Sequence, residues 1–368
     1  MLFDGEETAW LYDLEDRNPA IRIDLREKQA ETGSIQYLGK DGEKEELWFL
    51  DGTLEMSGAR FLRVSARDGK VSSFDNPSGK YMYLPSFSPD RIFWNGKIYI
   101  MEDGEVDVLA VQGDQLVIEC TLSLGTTEES RAGSADGLIV CPNGDMAVFT
   151  VGDDTSGRRL FTLDLQTGDR TELPVRMRDR LDAAIVDDTG RFLAVSDGKR
   201  VCVCDLAQEA HYIKEMTGHY VRSMFLCEDT LAVLYNEGKL LRYDVHSGDF
   251  LAVTDLKYPN AEGVTYQEAE LVDCGDEILV CPAGGEQDLI HFLDRETWKE
   301  TGFVQYPSSY DAARDRIICY ADDRSQTERK RIIGYYPRYT AADLLKKAKE
   351  ILAGRELSQE DKVRYGLD

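Results

Sequence analysis

Short apolar runs alternate with short polar turns along most of the chain. Examples are "MAVFT" at 146–150, "RFLAVS" at 191–196 and "TLAVL" at 230–234, each rich in β-branched or aromatic residues. Runs of this kind, bounded by turn residues, are typical of buried β-strands. Almost no helical periodicity competes with this pattern before residue 340. The pattern therefore predicts an all-β fold.

One stretch, 182–216, shows the order of the predicted strands. The strand "DAAIV" is followed by the turn "DDTG" and the strand "RFLAVS". Asp197-Gly198, a dipeptide favoured in tight hairpins, leads to the strand "KRVCVCD", and "HYIKEM" supplies a fourth strand. Four antiparallel strands in about 40 to 50 residues are the sequence signature of a β-propeller blade. The chain is therefore predicted to be a β-propeller.

An aspartate that follows an apolar strand marks the repeat. It occurs five times, and the last four copies are 41, 39 and 50 residues apart. Intervals in this range indicate propellers, solenoids or repeat arrays. The five copies are Asp13, Asp164, Asp205, Asp244 and Asp294.

A second marker is a short polar turn that precedes an apolar run. The copies are "KDGE", "SPDR", "PNGD", "DDTG", "CEDT", "CGDE" and "ARDR". Seven turns predict seven blades, with eight as the alternative. The start "LFDGEETAWLYDLEDRNPAIRIDL" matches "AVSDGKRVCVCDLAQEAHYIKEM", so the chain is expected to begin inside a blade and to be a segment of a longer protein. We expect the propeller to occupy residues 1–337.

Residues 217–250 carry a family resemblance. They read "TGHYVRSMFLCEDTLAVLYNEGKLLRYDVHSGDF", which resembles a WD40 repeat with Gly218-His219 at its start and Tyr243-Asp244 in place of Trp-Asp. In that family the histidine, a serine or threonine, an aspartate and the tryptophan form a structural hydrogen-bond network. Of these, only His219 matches, because the turn contains Asn236-Glu237-Gly238. The chain is therefore identified as a degenerate WD40-like propeller.

Residues 338–368 are predicted to form a helical tail that packs on the propeller. Thr340 and Asp343 form a variant of the capping box, and Gly354 ends the helix. An apolar stripe at helical spacing runs along Leu344, Leu345, Ala348, Ile351 and Leu352. The alternative is a free helix that binds a partner.

The amino-acid sequence of this tail is similar to the C-terminal end of bacterial WD40-type proteins. It resembles in particular the C-terminal segment of large STAND-type signalling ATPases, some with TIR domains, through "GREL" at 354–357, Glu360 and Arg364-Tyr365. In that family the propeller senses a partner or ligand and holds the attached ATPase inactive. The resemblance implies a sensor module and an effector or ATPase domain upstream.

The charge and the cysteines restrict the partners and the compartment. The formal net charge is −26, which repels nucleic acid and anionic lipid, so we expect neither as a partner. No apolar run approaches the length of a membrane helix, and the N-terminus resembles no signal peptide. The eight cysteines lie mostly in strand-like runs rather than in a disulfide framework. A cytoplasmic location is expected.

No common catalytic or cofactor motif is present. The chain contains no GxxxxGK[ST], GxGxxG, HExxH or GxSxG pattern. Cys202 and Cys204 share one face of a strand, but without a CxxC pair or suitably spaced histidines they are interpreted as buried thiols. We therefore expect no cofactor, no metal and no enzymatic activity.

The predicted function is that of an interaction or sensor module with a protein partner or an unknown ligand. Variable loops between strands are the expected binding elements, because they can change without harm to the core. The candidate residues in these loops are Thr127, Glu128, Arg131, Tyr258, Asn260 and Tyr266. Two alternatives stay open: a propeller-fold hydrolase or lactonase with a metal in its central channel, and a lectin-like small-molecule sensor.

Overall fold

The fold is taken from a computed structural model of the chain. It describes residues 2–3, 8–13, 18–24, 35–41, 44–51, 60–79, 92–102, 104–124, 135–141, 145–152, 157–208, 210–215, 219–256, 269–282, 289–305, 307–311, 315–323, 330–339, 343, 346, 349 and 350. Within these residues the structure is built of antiparallel β-sheets, as the pattern of apolar runs predicts.

The strands of the first half form four sheets. The first sheet contains β1 (Leu2–Phe3), β2 (Thr8–Asp13) and β3 (Asn18–Asp24). The second contains β4 (Ile35–Asp41), β5 (Glu46–Asp51), β6 (Arg60–Ser65) and β7 (Val71–Asp75). The third contains β8 (Phe93–Trp94), β9 (Lys97–Glu102), β10 (Glu105–Gln112) and β11 (Gln115–Ser123). The fourth contains β12 (Ala135–Val140), β13 (Met146–Val151), β14 (Arg158–Asp164) and β15 (Arg170–Met177).

Four further sheets follow. The fifth contains β16 (Ala183–Val186), β17 (Phe192–Ser196), β18 (Arg200–Asp205) and β19 (Ala210–Glu215). The sixth contains β20 (Val221–Cys227), β21 (Thr230–Tyr235), β22 (Lys239–Asp244) and β23 (Phe250–Asp255). The seventh contains β24 (Ala269–Asp273), β25 (Glu277–Pro282), β26 (Leu289–Asp294) and β27 (Glu300–Gln305). The eighth contains β28 (Pro307–Asp311), β29 (Arg316–Asp323) and β30 (Lys330–Pro337).

Tight turns join the first two strands of a sheet. In the third sheet Asn95 and Gly96 link β8 to β9 with φ values of 48° and 72°. Two consecutive residues with positive φ form the turn that matches the twist of paired strands. The sequence analysis assigned the turn of this sheet to "SPDR" at 88–91, which lies outside the described residues; the turn that joins β8 to β9 is "NG".

Apolar side chains are buried between successive sheets. One cluster joins sheets two, three and four, the next joins sheets four and five, and a third joins sheets five and six. A further cluster joins the first and second sheets. Strand β17, with the sequence "FLAVS", is buried along its whole length because its two faces contact different neighbours. Burial on both faces explains why these strands are apolar at consecutive positions instead of alternating.

The chain divides into two compact units, Met1–Leu271 and Val272–Asp368. The boundary falls inside β24. The second unit has a small core of its own, formed by Leu279, Cys281, Ile290 and Ile317. The division differs from the expected boundary between a propeller at 1–337 and a tail at 338–368, which stays a prediction.

The number of blades and the tail are not decided by the described residues. They form eight sheets, six with four strands and two with three, at the beginning and the end. Seven blades, the alternative of eight and a start inside a blade remain predictions. Of the tail the structure describes Arg338 and Tyr339, which directly follow the last strand, and Asp343, Lys346, Lys349 and Glu350, which are helical and exposed. The apolar stripe and the predicted helix ends lie outside the described residues.

Candidate functional site

The repeat aspartates stabilise turns between the third and fourth strands of their sheets. Asp164 Oδ1 accepts hydrogen bonds from the backbone N–H groups of Thr167 and Gln166, both at 2.8 Å. Asp244 Oδ1 is bound by the N–H of Ser247 at 2.8 Å and by its hydroxyl at 3.0 Å. Such bonds favour the charged carboxylate, so they lower the pKa of both aspartates.

Asp294 makes the same turn in the seventh sheet. Its Oδ1 accepts bonds from the Thr297 hydroxyl at 2.6 Å and the Thr297 N–H at 2.7 Å, which lower the pKa of this carboxyl. Asp205 differs, because the guanidinium of Arg191 binds it at 2.7 Å and is the main cause of its lowered pKa. Asp13 ends β2, but its side chain lies outside the described part. The side chains of Asp164, Asp205, Asp244 and Asp294 are thus bound within their own sheets.

Ser65 is a turn residue that the sequence analysis missed. Its N–H donates to Lys70 O at 3.0 Å, and its carbonyl accepts from Gly69 N at 2.9 Å. The same two backbone bonds occur from Asp164 to Asp169 and Gly168. The signal was the glycine four residues later in "SARDGK", which the search for aspartate overlooked.

His219 contacts the turn between β21 and β22. Its Nδ1 is hydrogen-bonded to the carboxylate of Glu237, and its ring meets that of Tyr235 edge-on at 6.2 Å. Tyr243, at the position of the WD40 tryptophan, instead meets Phe250 edge-on at 6.1 Å. Gly218 lies outside the described residues. The histidine therefore joins the connection before β20 to the turn between β21 and β22, with Glu237 as its partner.

The backbone beside His219 is held from two sides. Tyr220 N–H donates to Asn236 Oδ1 at 3.0 Å, and Asn236 N–H donates to the Tyr220 carbonyl at 3.0 Å. Val221 N–H donates to Gly198 O in the fifth sheet at 2.8 Å. Tyr220 was not selected from the sequence, although it directly follows Gly218-His219 in "TGHYVR". It is the most exposed tyrosine among the large hydrophobic side chains of the described residues, at 48%.

The loop residues selected from the sequence cannot be placed. Thr127, Glu128, Arg131, Tyr258, Asn260 and Tyr266 all lie outside the described residues. By strand order their two loops join β11 to β12 and β23 to β24. The connection from β19 to β20, which contains His219 and Tyr220, has the same place in the sheet order. That connection is the described counterpart of the predicted binding loops.

The other histidines with described side chains also pair with carboxylates. His246 Nε2 lies 2.8 Å from Asp229 Oδ1, and His291 Nδ1 lies 2.7 Å from Glu300 Oε1. His291 is completely buried, and this burial lowers its pKa despite the opposing effect of Glu300. Each pair joins two residues of one sheet, so the imidazoles hold neighbouring strands or turns together.

The thiols of Cys202 and Cys204 are buried on β18. The neighbouring Cys204 thiol and burial both raise the pKa of Cys202, which keeps it protonated and unreactive. Over the described ranges, no three His, Cys, Asp or Glu residues come together in a way that could hold a metal ion. Over the same ranges, no helix has the length and apolar character needed to cross a membrane.

Comparisons with known proteins identify the fold. No family model matches the chain, and no curated protein matches it. Among solved structures, it is similar to the dihydro-heme d1 dehydrogenase NirN in complex with DHE, with 14% identity, 90% of this chain and 73% of that chain covered, and a TM-score of 0.57. A chain of the mitotic checkpoint complex has 12% identity, coverages of 80% and 87%, and a TM-score of 0.51. BamB from Moraxella catarrhalis has 13% identity, coverages of 83% and 85%, and a TM-score of 0.49.

The structural neighbours are β-propeller proteins, and the chain is an all-β protein with the β-propeller fold. This confirms the fold class predicted from the repeat. At 12–14% identity the likeness shows the fold alone. The neighbours include enzymes as well as proteins of assemblies, so the comparisons leave the function open.

Proposed function

We propose that the chain is a non-catalytic, protein-binding β-propeller. The supporting observation is that the residues best suited to chemistry already serve the fold. His219, His246 and His291 pair with carboxylates of their own sheets, and Asp164, Asp244 and Asp294 bind the turns that follow them. A propeller whose charged groups are used in this way presents its connections as a rigid surface for a partner.

The wider role we propose is that of a sensor in a larger bacterial signalling protein. The tail sequence at 338–368 supports this proposal through its similarity to the end of STAND-type ATPases. In this scheme an ATPase or TIR domain precedes the propeller, and binding of a partner in the cytoplasm relieves its inhibition. The DNA just upstream of the coding segment tests this part: an in-frame ATPase or TIR domain would support it, and an unrelated reading frame would refute it.

Partner capture tests the binding role. The purified chain is immobilised, retained proteins are identified by mass spectrometry, and each candidate is then produced in pure form and titrated by calorimetry. A pure protein that binds with a dissociation constant of about 10 μM or tighter, comparable with transient complexes, is the expected result. If neither a protein nor a small molecule is retained and rebinds in pure form, the proposal fails.

The second candidate is an enzyme of the propeller hydrolase or lactonase type with a metal in its central channel. Its support is that the dihydro-heme d1 dehydrogenase NirN, an enzyme, shares the fold over 90% of this chain. Metal analysis of the purified protein separates the two candidates. One equivalent of a divalent ion that persists through dialysis and accompanies lactone hydrolysis would favour the enzyme, whereas hydrolysis at the background rate would favour the binding module.

A further inference from the structure

Tyr220 is an exposed aromatic residue on a fixed backbone. Its N–H and carbonyl are both bonded to Asn236, and the next N–H is bonded to Gly198 of the fifth sheet. Nearly half of its surface is open to solvent, while Val221 beside it is buried. An aromatic side chain that is anchored in this way loses little conformational entropy on binding. Tyrosine is also among the residues that contribute most to protein interfaces.

Two cations stand beside this ring. Lys199 Nζ lies 5.8 Å from the ring centre, and Arg222 Cζ lies 5.9 Å from it. Lys199 is exposed and Arg222 is half-buried. Within the described part of the chain, neither forms an ion pair with a carboxylate. Two nearby acids are engaged elsewhere, since Asp197 binds Arg200 at 2.5 Å and Glu237 binds His219. The carboxylate of Asp182 also lies near this turn, 3.8 Å from the position that a Cβ at Gly198 would occupy.

This surface is formed by three neighbouring elements of the first unit. Lys199 belongs to the turn between β17 and β18, Tyr220 to the connection from β19, and Arg222 to β20. Strands β16 and β20 adjoin, so the fifth and sixth sheets present these residues side by side. We call Lys199, Tyr220 and Arg222 the tyrosine–cation patch.

We propose that the tyrosine–cation patch binds an acidic protein segment, with a partner carboxylate between Lys199 and Arg222 and an apolar or aromatic side chain against Tyr220. The chain as a whole carries a net charge of −26, so the two cations beside Tyr220 are a specific point of attraction in a repulsive field. That repulsion increases with the charge of the ligand and disfavours a nucleic acid. A segment with one or two carboxylates satisfies both cations at little long-range cost. The inference rests on the proposed protein-binding function and names its site and the chemistry of its partner.

Peptide selection tests the patch directly. A random twelve-residue library displayed on phage is selected on the immobilised 368-residue chain, and enriched peptides are synthesised and titrated by fluorescence anisotropy. The expected peptides combine Asp or Glu with an aromatic or large apolar residue. Tyr220→Ala and Lys199→Glu should each weaken their binding about tenfold or more, as expected for a residue at the centre of an interface. Replacing the peptide acids with amides should have the same effect.

Matched variants provide the control. Phe250→Ala removes another exposed aromatic, 57% open to solvent, from outer strand β23, and should leave binding unchanged. Circular dichroism and melting of each variant check that the fold is retained, which is expected because Tyr220 and Lys199 are exposed.

The possible outcomes separate this inference from the wider proposal. Enriched peptides that are neutral or basic, or that bind equally to Tyr220→Ala, would overturn the patch while leaving the binding module in place. Failure to enrich any peptide would also overturn it, and partner capture then decides the wider proposal independently. A short single-stranded oligonucleotide that binds and is lost in Tyr220→Ala would replace the acidic protein segment with a nucleic acid.

Discussion

Identical turn geometry recurs with different residues at its key position. After Ser65, Asp164, Asp244 and Asp294 the chain turns through the same pair of backbone hydrogen bonds. In the first three turns the fifth residue is glycine with φ between 70° and 78°, whereas in the fourth it is Trp298 with φ of 58°. A non-glycine residue in this conformation costs about 1–2 kcal/mol. Trp298 is nevertheless retained, and it is almost fully buried at 5% exposure.

At position 298, unlike at most positions, the glycine variant should be more stable than the alanine variant. Trp298→Ala loses the buried indole and should lower the free energy of unfolding by about 3–5 kcal/mol. Trp298→Gly loses the same group, but glycine adopts a positive φ without the steric cost that a Cβ imposes. The glycine variant should therefore be more stable than the alanine variant by about 1 kcal/mol. Urea unfolding followed by circular dichroism measures both.

A buried residue in a regular strand supplies the control for this reversal. Phe74 in β7 is 5% exposed, and there the glycine variant should be less stable than the alanine variant, because glycine weakens a strand. If Trp298→Gly proves less stable than Trp298→Ala, the strain at this turn is not relieved by glycine and the argument is wrong.

His291 should make stability depend on pH. Burial lowers its pKa in the folded protein below the ordinary 6.5, so the unfolded chain binds a proton that the folded protein excludes. Stability contributed by the neutral imidazole is therefore complete above pH 6.5 and is lost as the pH falls from 6.5 toward the lower folded pKa. The urea concentration at the midpoint of unfolding should be lower at pH 5.5 than at pH 7.5, and this decrease should be smaller in His291→Gln. A decrease of the same size in His291→Gln would refute the assignment.

At the scale of elements, Arg338 ties the end of the last strand to two turns of the second unit. Its guanidinium donates to Asp276 at 2.9 Å, Glu277 at 2.8 Å and Asp315 at 2.6 Å. The Arg338 side chain is only 6% exposed and that of Glu277 only 9%. Asp315 also accepts a bond from the Tyr310 hydroxyl at 2.6 Å, and these bonds together lower its pKa despite desolvation. Arg338, the first residue after β30, is thus fixed to the sheets of its own unit.

Arg338→Ala should destabilise the protein by about 2–3 kcal/mol, because it leaves the nearly buried Glu277 carboxylate without its cationic partner and with only the Thr301 hydroxyl as a donor among the described residues. Arg338→Lys keeps the charge, but a single ammonium group cannot bind three carboxylates as the guanidinium does. We therefore expect an intermediate loss of stability. Arg295→Ala, which removes a more exposed bond to Asp273, is the matched control and should cost less than about 1 kcal/mol. Urea midpoints that rank Arg295→Ala below Arg338→Ala in stability would contradict this account.

At the scale of the whole molecule, the sequence predicted the fold better than the candidate site. Consecutive apolar strands and recurring turns sufficed for the propeller, because each strand is encoded locally by burial and by the residues that end it. Trp298 in a glycine turn could not be foreseen, since its burial comes from the surrounding fold. Tyr220 was missed for a related reason: its exposure and its two cations depend on how the fifth and sixth sheets adjoin. The predicted loop residues lie outside the described part, so their role stays a prediction.

The clusters between successive sheets in the first unit have an evolutionary consequence. The fifth sheet, β16–β19, has a buried cluster on each of its faces, shared with the fourth sheet on one side and with the sixth on the other. Deletion of only part of this segment would expose apolar surface on both neighbouring sheets, because the remaining strands could not cover either cluster. Lineages carrying this protein should therefore differ by whole four-stranded modules, gained by tandem duplication, and rarely by fractions of one.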